Sequence, residues 1–118
     1  MHENVTNHVR CELGQFDWVE GKSFSFRKRG YILKFITIQF DAGAVGDVDV
    51  RIENEKGRFL PWQSQGGDSY IRAVGEQPLK FYIGMRLHEH DTFKVLYRNR
   101  SSGNEHYVNV FFEFVRGN

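Results

Sequence analysis

The sequence predicts an all-β chain folded as a two-sheet antiparallel β-sandwich, and three observations carry that reading. Between residues 79 and 115 an apolar side chain recurs at almost every second position: Leu79, Phe81, Ile83, Met85, then Phe93, Val95, Tyr97, then His106, Val108, Val110, Phe112, Phe114. That period belongs to half-buried strands, and nowhere does a helical period compete with it. The chain is also rich in the rings that suit pleated surfaces, with eleven Phe, five Tyr and two Trp. Turn-forming clusters then divide it at short, regular intervals.

Residues 1–8 read as an extended or flexible N-terminal arm. Val9 to Leu13 makes a short strand, and Phe16, Trp18 and Val19 continue an apolar edge up to a turn at Gly21. Phe24 and Phe26 alternate with Ser23, Ser25 and Arg27. The segment YILKFITIQF, residues 31–40, is β-branched and flanked by glycine, which predicts a central strand. Ile36, Ile38 and Phe40 share one parity while Tyr31, Leu33 and Phe35 hold the other, so a bulge is expected near Lys34.

Asp41 to Gly46 connects to a strand in which Val48, Val50 and Ile52 alternate with Asp49, Arg51 and Glu53, predicting one wet face. NEKG turns the chain into a short strand over 58–62, which Pro61 confines to a sheet edge. QSQGGD leads to a strand at 69–74, and Gly75 to Pro78 leads to the strand at 79–86. HEHD and RSSGN make the last two corners. About eight strands are too many for a single sheet without exposing an aromatic face. A jelly roll suits the count, with an immunoglobulin-like sandwich as the alternative.

The 118 residues fit one domain, 1–118, that buries roughly two thirds of its unfolded surface. A formal net charge of +1 supplies no global pull toward nucleic acid or an anionic membrane. Nucleic acid is therefore not an expected partner. Cys11 is the single cysteine, which excludes an intrachain disulfide. The stretch MHENVTNHVR has no apolar run of the secretory kind, and no later stretch is long enough to span a bilayer as a helix. The expected location is a virion, or the cytoplasm of a cell, without membrane insertion.

Several clusters could carry chemistry. His88 and His90 in HEHD would place two imidazoles on one side of an extended segment, within reach of one metal, and His106 could add a third ligand. The bland reading is a solvated corner. Gly84 to His90 also has a superficial likeness to the first histidine motif of the cupins, which would imply a metal enzyme. Asp41, Asp47, Asp49, Glu53 and Glu55 offer oxygen ligands for calcium, but no EF-hand spacing joins them. Arg27, Lys28 and Arg29, with Arg98 and Arg100, could form a phosphate-binding patch. No nucleophile elbow and no phosphate-binding glycine loop is present. No catalysis, cofactor or metal is expected.

The aromatics give the better signal. Trp18, Trp62, Tyr70, Tyr82, Tyr97 and Tyr107 include rings opposite in parity to the core, which would suit a sugar or a protein partner. In the last strand Tyr107, Phe111 and Val115 face away from Val108, Val110, Phe112 and Phe114. That strand is apolar on both sides, which predicts an interface built on Tyr107, Phe111 and Val115, with Trp62 and Tyr70 as edge anchors.

The run Leu87, His88, Glu89, His90, Asp91, Thr92, Phe93, Lys94, Val95, followed by a polar turn and the aromatic strand from Tyr107 to Phe114, resembles the end of small jelly rolls in tumour-necrosis-factor-like trimers and phage virions. Asp91 matches their corner aspartate, and His90 stands where they carry glycine. The resemblance implies a β-sandwich that assembles through its faces or joins a larger particle, and with the missing signal, the lone cysteine and the doubly apolar last strand the expectation is a noncatalytic structural or adhesion module, such as a capsid decoration, fibre or tail protein. Its partners would be copies of itself, as a trimer or another homo-oligomer, or a particle lattice. A carbohydrate-binding module using exposed rings is the alternative, and the cupin-like metal enzyme the third.

Overall fold

The computed structural model describes residues 2–55, 59–60, 70–87, 91–101 and 103–117. These form nine strands: β1 (His2–Cys11), β2 (Gln15–Phe26), β3 (Tyr31–Phe40), β4 (Val48–Asn54), β5 (Phe59–Leu60), β6 (Ile71–Arg72), β7 (Leu79–Arg86), β8 (Asp91–Asn99) and β9 (His106–Arg116), with one 3-10 turn at Ala42–Ala44. The first sheet has the order β1-β9-β3-β7, and the second β2-β8-β4-β5. The two short strands share one edge of β4, β5 against Ile52 and Glu53, β6 against Asp49 and Val50.

The pairing is nested. β1 pairs with β9, β2 with β8, β3 with β7, and β4 with β5 and β6, all antiparallel. Rolling up such a hairpin adds the contacts β3–β9 and β4–β8 and divides the strands between two sheets. That is the jelly roll, as the strand count predicts.

The inner faces meet in a core whose centre is aromatic. Phe26 stacks on Phe114 at 3.9 Å between ring centroids, and Phe24 meets Phe112 edge-on at 4.8 Å. Phe93 lies 5.6 Å from Phe112. β2 and β8 of one sheet are thereby tied to β9 of the other. Phe93, Val95, Val108, Val110, Phe112 and Phe114 are all completely buried, so the alternation over 79–115 marks the core-facing parity.

Two expectations at the N-terminal end change. Residues 2–8 are no loose arm but the first part of β1, paired residue for residue with β9 from His2–Val115 to Cys11–His106. Gly21 is not a turn. It sits inside β2 at a register shift between Glu20 and Lys22, where a Cβ would lie 2.5 Å from Val9 Cγ1. Glycine is there because β1 and β2 pass too closely for a side chain.

The bulge expected near Lys34 is present, as a register shift between Leu33 and Phe35 against both β7 and β9. It turns Tyr31 and Leu33 inward together with Ile36, Ile38 and Phe40. Phe35 is left on the outer side, half-buried. Opposite the bulge on β7, Gly84 has φ 67°, and the Tyr82 ring folds over its α-carbon. β4 is a central strand, but its outer face is not simply wet, because Asp49 is completely buried.

Candidate functional site

The outer face of the first sheet carries the residues that the double parity of β9 singles out. Val115, Phe111 and Tyr107 stand along it about 13 Å apart, four residues per step. The register extends the patch sideways. Val115 is level with Ile32 of β3, and Phe35 is level with Tyr82 of β7 and packs edge-on against its ring at 5.8 Å. Tyr82 is 67% exposed and Phe111 37%. Between Phe35 and Phe111 lies a shallow depression of about 230 Å³, bordered by Asn4, Thr6, Thr37, Lys80 and Glu113. Lys80 Nζ lies 4.2 Å from the centre of the Phe35 ring.

Tyr107 is on this face but apart from the patch. Its ring stacks on His8 at 5.2 Å and its hydroxyl donates to Glu105 at 2.9 Å. Tyr70 is on the other sheet altogether. Trp62 lies outside the described residues, as do His88 and His90. Parity along β9 finds one row of the patch, and Tyr82 is among the rings the sequence singles out, but neither joins Ile32 and Phe35 to that row. The signal for Phe35 was available, since a bulge at Lys34 that keeps Leu33 and Ile36 inside must turn Phe35 out.

A second cluster closes one end of the sandwich. His106 is buried, with Nδ1 3.0 Å from Asp41 Oδ2 and Nε2 3.6 Å from Asp47 Oδ2. Asp41 also accepts the Tyr107 N–H at 2.9 Å. Burial works against the Asp41 charge, but donation from Tyr107 and His106 outweighs it and holds the carboxyl below its ordinary range. Cys11 is the cross-strand neighbour of His106, a juxtaposition that sequence spacing does not reveal. The pair makes no thiolate nucleophile. Burial, with the nearby charge of Asp41, pushes the Cys11 thiol up to about 12.

His106 is also remote from the described residues on either side of His88 and His90, which themselves lie outside the described residues. The residues that bracket them, Leu87 and Asp91, are at the opposite end of the sandwich, bonded to Tyr31 and paired with Phe26. The ten residues of β3 lie between Tyr31 and the Asp41 end, about 30 Å. His106 is therefore far from Leu87 and Asp91. The acidic residues that suggest calcium do not converge, because Asp41 and Asp47 face His106, Asp49 faces arginines, Glu53 pairs with Arg51 at 3.1 Å, and the Glu55 N–H donates to Asp91. Among the described residues no group of three His, Cys, Asp or Glu side chains is placed to hold a metal.

The third cluster is on the outer side of the second sheet. Asp49, with no exposure, accepts from Arg72 Nε at 3.0 Å, Arg98 Nε at 2.8 Å and Arg100 Nη1 at 2.6 Å. Burial disfavours its charge, and the three guanidinium donors more than reverse this, so its carboxyl is held low. Trp18 and Tyr70 flank the arginines. Arg98 lies 4.5 Å from the Trp18 ring centre and 4.7 Å from that of Tyr70, and Arg51 lies 4.9 Å from Trp18. The expected partnership of Arg98 and Arg100 with Arg27, Lys28 and Arg29 does not form. The latter three follow β2 beside Phe26, at the far end of β8, and Lys28 pairs with Glu3. Tyr97 is an inner residue at 3% exposure, as its place in the alternation with Phe93 and Val95 predicts.

Comparison with protein-family models and with curated proteins returned no match to this chain. Among the described residues no helix is long and apolar enough to cross a membrane.

Proposed function

We propose that this jelly roll is a noncatalytic structural module that associates with copies of itself through the outer face of its first sheet. The observation that carries the reading is a group of outward-facing apolar residues on three adjacent strands, Phe35, Tyr82 and Phe111 around the depression and the cross-strand pair Ile32 and Val115 beyond Glu113. A lone exposed ring is ordinary on a protein surface, whereas a contiguous group of them around a depression is characteristic of an interface. A second copy is the preferred occupant because the patch is self-complementary in charge. Glu113 borders it on β9 and Lys80 on β7, so a symmetry-related copy can set each against the other's opposite charge.

The finer reading is a virion component, a capsid decoration, fibre or tail protein, in which this face makes trimer or lattice contacts. The apolar outer row of β9 and the resemblance at residues 87–114 support a structural role, and the buried Cys11 thiol, pushed up to about 12, is no ready nucleophile. The carbohydrate reading is weakened by the rings themselves, since Trp18 carries guanidiniums on its π system and Tyr97 is buried. Amine cross-linking of mixed light and heavy isotope-labelled protein tests the proposal. Links between copies are expected at Lys80 and Lys34, near the patch, and not at Lys94 on the other sheet; links confined to Lys94, or none between copies, would contradict it. Glycan-array binding lost in Trp62→Ala would instead favour the carbohydrate module.

A further inference from the structure

We propose that the arginine cluster over Asp49 is a binding site for a phosphate or sulfate ester, taken between Arg72 and Arg98 beside the Trp18 and Tyr70 rings. The site is on the opposite side of the sandwich from the self-association face and does not depend on it. Its first support is charge. One guanidinium neutralises one carboxylate, yet three converge on Asp49, all with donor nitrogens within 3.0 Å, so that among the described residues two positive charges of the cluster have no carboxylate of their own. The chain as a whole carries only +1, so this excess is local.

The second support is unspent donors. A guanidinium has five N–H groups. Arg98 uses Nε on Asp49, and Arg72 uses Nε on Asp49 with a long contact of 3.5 Å from Nη2 to the Tyr70 hydroxyl. The remaining amino groups of both have no hydrogen-bond acceptor among the described residues, and the Arg72 side chain is 48% exposed. Arg100 is different. Its second amino group donates to Gly46 O at 2.7 Å, which makes it a structural clamp on the loop before β4.

The third support is that these donors are already held in place. Asp49 fixes one end of each fork, and the rings of Trp18 and Tyr70 pack against Arg98 while Tyr70 also meets Arg72 at 5.6 Å. Little side-chain entropy remains to be lost on binding. The rings spend their π systems on guanidiniums, so the cluster offers charge and N–H groups in preference to a stacking platform for a base or sugar. A tetrahedral oxyanion with several acceptor oxygens can take N–H groups from two forks at once, and the surplus positive charge of the cluster favours an anion there.

The test is a titration of isotope-labelled full-length protein with sodium phosphate and sodium sulfate at constant ionic strength, read at the arginine Nε–H and tryptophan indole N–H resonances. Saturable shifts are expected at Arg72, Arg98 and Trp18, without shifts at Arg86 or Arg10 on the first sheet. Arg72→Gln should weaken binding about tenfold, the loss of one charge-assisted hydrogen bond. Arg86→Gln, which removes the same charge elsewhere, should leave it unchanged. Arg72→Lys keeps the charge without the fork and should fall between, and the wild-type shifts locate the site even if a variant folds poorly. A short oligothymidylate and a short heparin fragment then distinguish a phosphate from a sulfate source by which binds more tightly than the free ion. Shifts that do not saturate, shifts spread over all arginines, or equal weakening by Arg72→Gln and Arg86→Gln would overturn the proposal.

Discussion

Asp49 sits at a position that alternation assigns to the surface, and it is the most completely buried carboxylate in the described structure. Period 2 correctly turns it away from the core, but it cannot say what covers the outer face. The cover comes from three arginines on β6, on β8 and just after β8, with contacts 23, 49 and 51 residues away in sequence. Removing the carboxylate leaves their charges facing one another, so Asp49→Asn should lose about 3–5 kcal/mol in urea unfolding. The pH dependence follows from the lowered native pKa of Asp49. Its stabilisation is present in full above about pH 5 and disappears as the pH falls through that lowered value. Acid should therefore destabilise the wild type more steeply than Asp49→Asn, as read from melting temperature against pH. At Cys11, burial and the raised pKa predict that the native thiol resists Ellman's reagent at pH 8 and reacts once urea unfolds the chain; rapid labelling of folded protein would contradict that placement.

At the scale of the element, β9 separates stability from association within two neighbouring residues. Phe112 is completely buried against Phe24 and Phe93, whereas Phe111 looks out between Thr6 and Thr37. Phe112→Ala should cost about 3–5 kcal/mol in urea unfolding, and Phe111→Ala less than about 1 kcal/mol in the monomer. Equal losses would show the parity to be wrong. Gly21→Ala should also destabilise, because its methyl meets Val9 across the gap between sheets. β3 and β9 were legible because both alternate over ten or more residues, and the conflict of parity in β3 located its bulge. β1 was not. Its inner residues Glu3, Val5, Asn7 and Val9 are half polar, so its place in the sheet is decided by β9, the strand it pairs with 100 residues later. Gly21 misled for a related reason, since a glycine needed for close approach carries the same letter as one needed for a turn.

On the scale of the whole molecule, the nested pairing explains which functional readings survive. It places Leu87 and Asp91, the described residues that flank His88 to His90, at the opposite end from His106 in a body 48 Å long, and it distributes the acidic residues among separate partners. It also gathers Ile32, Phe35, Tyr82, Phe111 and Val115 from three strands that are far apart in sequence and adjacent only in the first sheet. The sequence could show that β9 had an apolar outer row. It could not show which strands would extend that row, because strand order in a jelly roll depends on how the hairpin rolls. The most direct test of association through this face is multi-angle light scattering over a range of concentrations, on the wild type and on Phe111→Lys. The wild type should gain mass in whole multiples of the 13.9 kDa chain as concentration rises, and Phe111→Lys should remain a folded monomer throughout. A wild type that stays monomeric at the highest concentration, or a variant that associates as the wild type does, would contradict it.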